Sequence, residues 1–257
     1  MNSPSHPAAI NRRNALKTGL AGAGLLASGL TGTASAAKAP KPLSLKKGAV
    51  IVFQGDSITD ANRDRKNKKA NDAKAFGRGY PFHIASNLLM RHPDLDLTFY
   101  NRGVSGNRVP HLDSRWQADC IDLKPDVLSI LVGVNDIWHK LNGQYDGTVE
   151  TYETGFTALI ERTRKALPET HIVICEPFVL KCGAVKDNWF PEMTERIAAA
   201  KRVAEATGCT WVPFQEAFTA EVEKGTKPDY WAADGVHPSM AGHMLMAKVW
   251  GETTGLL

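Results

Sequence analysis

Five short apolar runs, at 49–53, 97–100, 127–132, 171–175 and 210–212, carry the β-branched and aromatic character of buried strands. Segments with a helical period separate them. Tyr152, Phe156, Leu159, Ile160 and Leu167 recur at helical spacing before Pro168, Pro191, Met193, Ile197 and Ala204 precede a stop at Gly208, and Phe82, Ala85, Leu88 and Leu89 precede Pro93. Strands that alternate with helices must pair in parallel through right-handed crossovers, which predicts a three-layer α/β/α sandwich around a mainly parallel five-stranded sheet. No internal repeat and no second domain emerges along the chain. In such a sheet the loops at the carboxyl ends of the strands are where chemistry is expected.

Composition narrows the class further. A chain of 257 residues with 43% hydrophobic and 23% charged residues can bury a large core without disulfide or metal staples. Three of the positive charges behind the formal +4, on Arg12, Arg13 and Lys17, lie in a leader with no acidic residue. The remainder is nearly neutral, which leaves no footprint for nucleic acid or for an acidic membrane surface. The leader itself runs from Arg12-Arg13 through a Gly/Ala-rich apolar stretch at 19–30 to Ala34-Ser35-Ala36. That order predicts a signal peptide over 1–36, of twin-arginine type, followed by a Pro/Lys-rich entry segment over 37–48 and a catalytic domain over 49–257. The apolar stretch is too short to span a bilayer. Gly22-Ala23-Gly24-Leu25-Leu26-Ala27 spells a dinucleotide fingerprint, but no strand precedes it. The expected location is periplasmic or extracellular.

Unusual residues cluster where the fold predicts chemistry. Gly55-Asp56-Ser57-Ile58-Thr59-Asp60 follows the first strand, Asn101-Arg102-Gly103-Val104-Ser105-Gly106-Asn107 the second, and Gly133-Val134-Asn135-Asp136 the third. Asp234-Gly235-Val236-His237-Pro238 stands before the last helix. Each alone reads equally well as a helix cap or a turn. Together they supply acyl transfer: Ser57 as nucleophile, His237 as the base that takes its proton, and Asp234, three residues away, to hold the imidazole. The backbone N–H groups of Ser57 and Gly106 with the amide of Asn135 are candidate oxyanion donors. Glycine at 106 would let its N–H approach substrate with no Cβ in the way.

These blocks resemble the SGNH branch of the GDSL hydrolases. The resemblance implies a flavodoxin-like sandwich, with Ser57, Asp234 and His237 catalytic and Ser57, Gly106 and Asn135 forming the oxyanion hole. Gly-Asp-Ser-Ile replaces the family's Gly-Asp-Ser-Leu. Arg78-Gly79-Tyr80, the segment 101–107, Lys124-Pro125-Asp126-Val127-Leu128-Ser129, Val134-Asn135-Asp136-Ile137-Trp138 and His237-Pro238-Ser239-Met240-Ala241-Gly242-His243 are similar to bacterial acetylxylan esterases of this family. That likeness implies a serine esterase acting on O-acetyl groups of a polysaccharide such as xylan. Two features depart from it. A strongly basic insertion runs from Arg63 to Lys74, and Ala233 stands where those esterases can carry a tryptophan.

Other readings have less behind them. No H-E-x-x-H or other paired metal-ligand spacing, phosphate-binding loop or G-x-S-x-G elbow occurs in the sequence, so neither a metal nor a cofactor is expected. A lysophospholipase or lipase-like acylhydrolase would need room for a long acyl chain, and no apolar lid segment is found. A non-catalytic glycan binder would be expected to have lost Ser57 or His237. Trp138 and Trp231, near the third and fourth blocks, are candidates for a sugar platform or for core packing. His243 reads as a packing histidine. The cysteines at 120, 175, 182 and 209 read as small buried residues, and any disulfide would most simply join Cys175 to Cys182. The expected partner is an acetylated carbohydrate or another small ester, and self-association is left open.

Overall fold

The computed structural model describes residues 43–257, so the leader and the first part of the entry segment lie outside the described residues. Strands β1 (Val50–Gly55), β2 (Thr98–Asn101), β3 (Val127–Leu131), β4 (His171–Cys175) and β5 (Thr210–Val212) form one sheet in the order β2-β1-β3-β4-β5. Every pairing is parallel. Helices α1 (Ser57–Asp60), α2 (Ala73–Phe76), α3 (Tyr80–Arg91), α4 (Val109–Asp119), α5 (Val134–Leu141) and α6 (Val149–Ala166) lie between or beside the first four strands. They are followed by α7 (Glu192–Thr207), α8 (Phe214–Glu223), α9 (Pro228–Trp231) and α10 (Met240–Thr254). The expected three-layer sandwich is therefore the observed one.

Side chains alternate between the two faces of each strand and generate two cores. Ile51, Phe53, Phe99, Leu131, Val173 and Val212 meet Ile84 and Leu88 of α3, Phe214 and Phe218 of α8 and Trp250 of α10. Val52, Leu128, Ile130, Ile172 and Ile174 meet Leu112 and Trp116 of α4, Phe156 and Ile160 of α6, and Ala200 and Val203 of α7. Both faces of β1, β3 and β4 are covered, which is why these strands read as continuous apolar runs. The helices begin and end where local chemistry dictates. Thr148 caps α6 by accepting the Thr151 N–H at 3.1 Å, Ser239 caps α10 by accepting from Gly242, and α7 stops at Gly208 in the left-handed region.

Strand order reverses beside β1, since β2 lies on one side of it and β3 on the other. The loops after β1 and β3 diverge there and leave a crevice at the carboxyl edge. All four cysteines are free thiols, so Cys175 and Cys182 are not bridged. Cys175 is buried with its Sγ 3.5 Å from Ser129 Oγ, while the Cys182 thiol donates to the Ala232 carbonyl at 3.2 Å. The buried Ser129 hydroxyl accepts the Trp250 indole N–H at 3.0 Å. Trp250 is fully buried against Phe53. Trp250→Ala is expected to cost about 3–5 kcal/mol, from lost packing, cavity formation and the lost hydrogen bond to Ser129. Urea unfolding measures it, and a loss well below that range would mean that α10 closes over the gap.

Candidate active site

Ser57 is the first residue of α1, immediately beyond β1. The chain turns this sharply because Gly55 takes φ +156°, at a point where a Cβ would run into the Leu131 carbonyl and the Thr59 side chain. Asp56 then caps α1, its Oδ1 accepting the Ile58 N–H at 3.0 Å. The Ser57 hydroxyl meets Nε2 of His237 at 2.9 Å, and Nδ1 of His237 meets Oδ2 of Asp234 at 2.6 Å. The other oxygen of Asp234 accepts the backbone N–H groups of Val236 and His237 at 2.9 and 2.7 Å, which fixes the carboxylate by its own turn. Burial alone would raise the Asp234 carboxyl, but hydrogen bonds from the His237 ring and the two amides outweigh it and hold it below the usual carboxylate value. Asp234 is thus charged whenever His237 must accept a proton.

The turn carrying these residues is tied down from outside. Leu180 N–H donates to the Gly235 carbonyl and Ala184 N–H to the Asp234 carbonyl, each at 2.8 Å, and Ser239 N–H donates to Trp231 O at 2.7 Å. The loop after β2 is interlocked with the loop after β1. Asn101 donates to the carbonyls of Thr59 and Phe76 and accepts from Gly103, while buried Asp60 accepts the N–H groups of Arg63 and Ser105. In the sequence Asn101 and Asp60 read only as parts of their blocks. Their spacing to the glycines around them was the available signal.

The N–H groups of Ser57 and Gly106 make no hydrogen bond within the described residues. Asn135, at the start of α5, spends one amide hydrogen on the Asn107 carbonyl at 3.2 Å, which leaves the second free and links its orientation to the Gly106 loop. A Cβ on Gly106 would meet only His139 Cε1 at 3.8 Å, an ordinary contact, whereas φ is +80°. That backbone conformation by itself favours glycine.

Trp138 lies against the His237 ring, 5.8 Å between centroids, and against buried Trp189 at 5.5 Å. Trp231 packs instead on Phe218 and Tyr230, with its indole nitrogen buried and unpaired, and its carbonyl serves the Ser239 turn. The structure therefore brings Trp138, but not the ring of Trp231, to the triad. His243 is buried, and its Nδ1 accepts the Tyr80 N–H at 3.1 Å at the start of α3. It is a packing histidine, held as neutral imidazole because burial lowers its pKa to about 4. A cleft of about 770 Å3 opens beside Ser57 and His237, lined also by Phe82, Pro238, Met240 and three arginines. Among the described residues no cluster of His, Cys, Asp and Glu is arranged to hold a metal ion, and no helix is long and apolar enough to cross a membrane.

Two further carboxyls, Asp56 and Asp136, are completely buried beneath this edge. Desolvation pushes each up to about 7, against partial relief from the Ile58 amide for Asp56 and from the charges of Arg196 and Arg108 for Asp136. Oδ2 of Asp56 and both oxygens of Asp136 lack a hydrogen-bond partner among the described residues. A carboxyl raised in the folded state keeps a proton that the unfolded chain has already released, so it favours folding less as pH climbs from about 4 to about 7. Asp136→Asn is expected to flatten that decline, by up to about 1.4 kcal/mol per pH unit. Denaturation midpoints between about pH 5 and about pH 8 test it, and an unchanged slope would mean that Asp136 is ionised in the native protein.

The profile of the GDSL-like lipase/acylhydrolase family matches residues 53–245. An acetylxylan esterase of Geobacillus stearothermophilus is 34% identical over 217 residues, covering 83% of this chain and 97% of its own. The crystal structure of an acetylxylan esterase from the same organism superposes with a TM-score of 0.73 at 33% identity over 83% of this chain and 97% of that one. A GDSL-like lipase of Parabacteroides merdae is 47% identical, with a TM-score of 0.81 over 85% of this chain and 100% of that one. The chain belongs to the GDSL-like lipase/acylhydrolase family and is a carboxylic ester hydrolase.

Proposed function

We propose that the protein removes acetyl groups from carbohydrate, with acetylated xylan-like polysaccharide as its substrate, through a Ser57 acyl-enzyme. The observation that carries this reading is the unbroken hydrogen-bonded chain from Ser57 through His237 to Asp234 at the mouth of an open cleft. His237 takes the proton of the Ser57 hydroxyl as Oγ adds to the ester carbonyl, and Asp234 stabilises the resulting imidazolium. The oxyanion is received by the free N–H groups of Ser57 and Gly106 and by the second amide hydrogen of Asn135. His237 then gives the proton to the departing sugar oxygen, which leaves as a hydroxyl. Water, deprotonated by the same imidazole, releases acetate. The acetylxylan esterase relative supports acetyl as the acyl group and xylan as the class of alcohol. The Arg12-Arg13 leader supports export, which would bring the enzyme to a polymeric substrate.

Three substitutions and one panel test the reading. Ser57→Ala is expected to fold normally and lose turnover by several orders of magnitude, since a triad works as a unit. Asn135→Ala should cost about 10²–10³ in kcat, the usual loss for one oxyanion donor. Near wild-type turnover by the first, or a change confined to KM in the second, would refute the assigned role. Short p-nitrophenyl esters, long ones, acetylated xylan and acetylated pectin compared side by side separate a deacetylase from a lipase, and preference for the long acyl chains would overturn the acetyl reading. Trp138→Ala is expected to lower kcat/KM on acetylated xylo-oligosaccharide more than on p-nitrophenyl acetate, because an indole face beside His237 stacks on a sugar ring. Equal losses on both substrates would make Trp138 a packing residue only.

A further inference from the structure

Arg115 lies about two turns into α4, the helix that starts just past Gly106 and Asn107. Side chains lean toward the N-terminus of their helix, so a long one at this depth reaches back over the loop that feeds it. The Arg115 guanidinium does so. Nε donates to the Asn107 side-chain oxygen at 2.8 Å, and Nη1 donates to the Arg102 carbonyl at 2.7 Å and to Asp119 Oδ2 at 3.1 Å. Nη2 donates to the Gly55 carbonyl at 3.2 Å. Gly55 stands just before Asp56 and Ser57, Arg102 opens the loop after β2, and Asn107 carries the carbonyl that holds the Asn135 amide. The helix that bears Arg115 is itself fixed. Trp116 is fully buried with its indole N–H on Thr163 Oγ1 at 2.9 Å, and the Asp119 carbonyl accepts the side-chain amide of Gln54 from β1. Burial lowers the Arg115 pKa, while the charge of Asp119 and its hydrogen bond oppose that loss.

Arg115 does not line the cleft beside Ser57. What its contacts fix is the spacing between loops. An oxyanion hole works when its donors converge on one point, and a misplacement of about 1 Å can cost about 10²-fold in rate. The Ser57 N–H belongs to the loop that Arg115 grips at Gly55, whereas the Gly106 N–H and the Asn135 amide belong to the side that it grips at Asn107. We propose that Arg115 is a positioning residue for the oxyanion hole, its planar fork setting the distance between the Ser57 loop and the Gly106 loop. The near end of the Gly106 loop is held by Val104 N–H on the Gly55 carbonyl and by Ser105 N–H on Asp60. Arg115 holds the far end. Its bonds are charge-assisted, and at 17% side-chain exposure water competes with them poorly. A lysine would carry all its donors on one nitrogen and could not span the same acceptors. The assignment rests on the oxyanion role given above to Ser57, Gly106 and Asn135.

A double-mutant cycle on p-nitrophenyl acetate hydrolysis tests it. Arg115→Lys, which keeps the charge beside Asp119 but loses the fork, is expected to lower kcat and kcat/KM together by about 10- to 100-fold. In an Asn135→Ala background the same change should cost no more than about threefold, because a hole that has already lost a donor gains little from alignment. A residue that only supports the fold would give the same factor in both backgrounds. Melting curves show which variants fold. Should Arg115→Lys fail to fold, Asn107→Ala, which deletes only the acceptor of Nε, takes its place in the cycle with an expected loss of about tenfold. Wild-type turnover in the variant, a change confined to KM, or equal factors in the two backgrounds would overturn the positioning role while the esterase reading stands. Asn135→Ala turning over like the wild type would instead sink the oxyanion assignment, and the role of Arg115 with it.

Discussion

The contact on which the site depends is the 2.9 Å hydrogen bond between Ser57 and His237, which joins residues 180 positions apart. One such bond contributes on the order of 1 kcal/mol net. That is far too little to bring the first loop of the sheet to the turn before the last helix. The backbone on each side must already be in place, and two separate devices put it there. On the Ser57 side, Gly55 makes the sharp exit from β1 and the Asp56 cap fixes the next turn. On the His237 side, the carbonyls of Asp234 and Gly235 are gripped by the amides of Ala184 and Leu180, from the long loop after β4. The grip on the His237 turn is backbone to backbone and the Asp56 cap uses one short, buried side chain, so the Ser57–His237 bond forms between ends that are already fixed.

The proposed oxyanion donors depend on the same economy. Asn135 is oriented by the carbonyl of Asn107, and Asn107 follows Gly106, so two of the three proposed donors are linked by one hydrogen bond. The Gly106 loop is in turn held to the Ser57 loop by Asp60 and Asn101, both buried and both bonded at each oxygen or amide the geometry allows. Buried polar groups of this kind rigidify a site when fully partnered and destabilise it when one is lost. The interlock therefore transmits a change at either loop to the other. Asp56 and Asp136 lie under the same loops with oxygens left over, which concentrates the least satisfied polar groups of the described chain at its chemical edge.

The strands and the four blocks were legible because their signals are local. A doubly covered strand must be apolar throughout, and the runs at 171–175 and 210–212 match β4 and β5 residue for residue. The other strands are offset by one or two residues at their ends, where burial no longer decides which residue is last. The spacing of Asp234 and His237 within one turn also carries its own geometry. What was not legible depends on partners that come from elsewhere in the chain. Trp231 reads as a candidate platform from its distance to Asp234, but Phe218, on a different helix, takes its ring. His243 becomes the acceptor for the start of α3 only because α10 crosses that helix. Arg63 reads as one charge in a basic run, and only the fold sends its side chain inward while Arg65 and Lys68 stay exposed.

The two flanks of the triad differ in kind. Trp138, backed by buried Trp189, presents an aromatic surface against the His237 ring, whereas the cleft lined by Ile58, Phe82 and the arginines opens beside Ser57. An aromatic face accepts any sugar ring with an apolar side and discriminates weakly. Guanidinium groups discriminate by charge and by direction, but only against a partner that can leave water to meet them. Because His237 lies between the two flanks and is 44% exposed at its side chain, neither flank needs a lid for the ester to reach the nucleophile. An open groove of this form suits an ester displayed along a polymer better than one buried at the end of a narrow pocket.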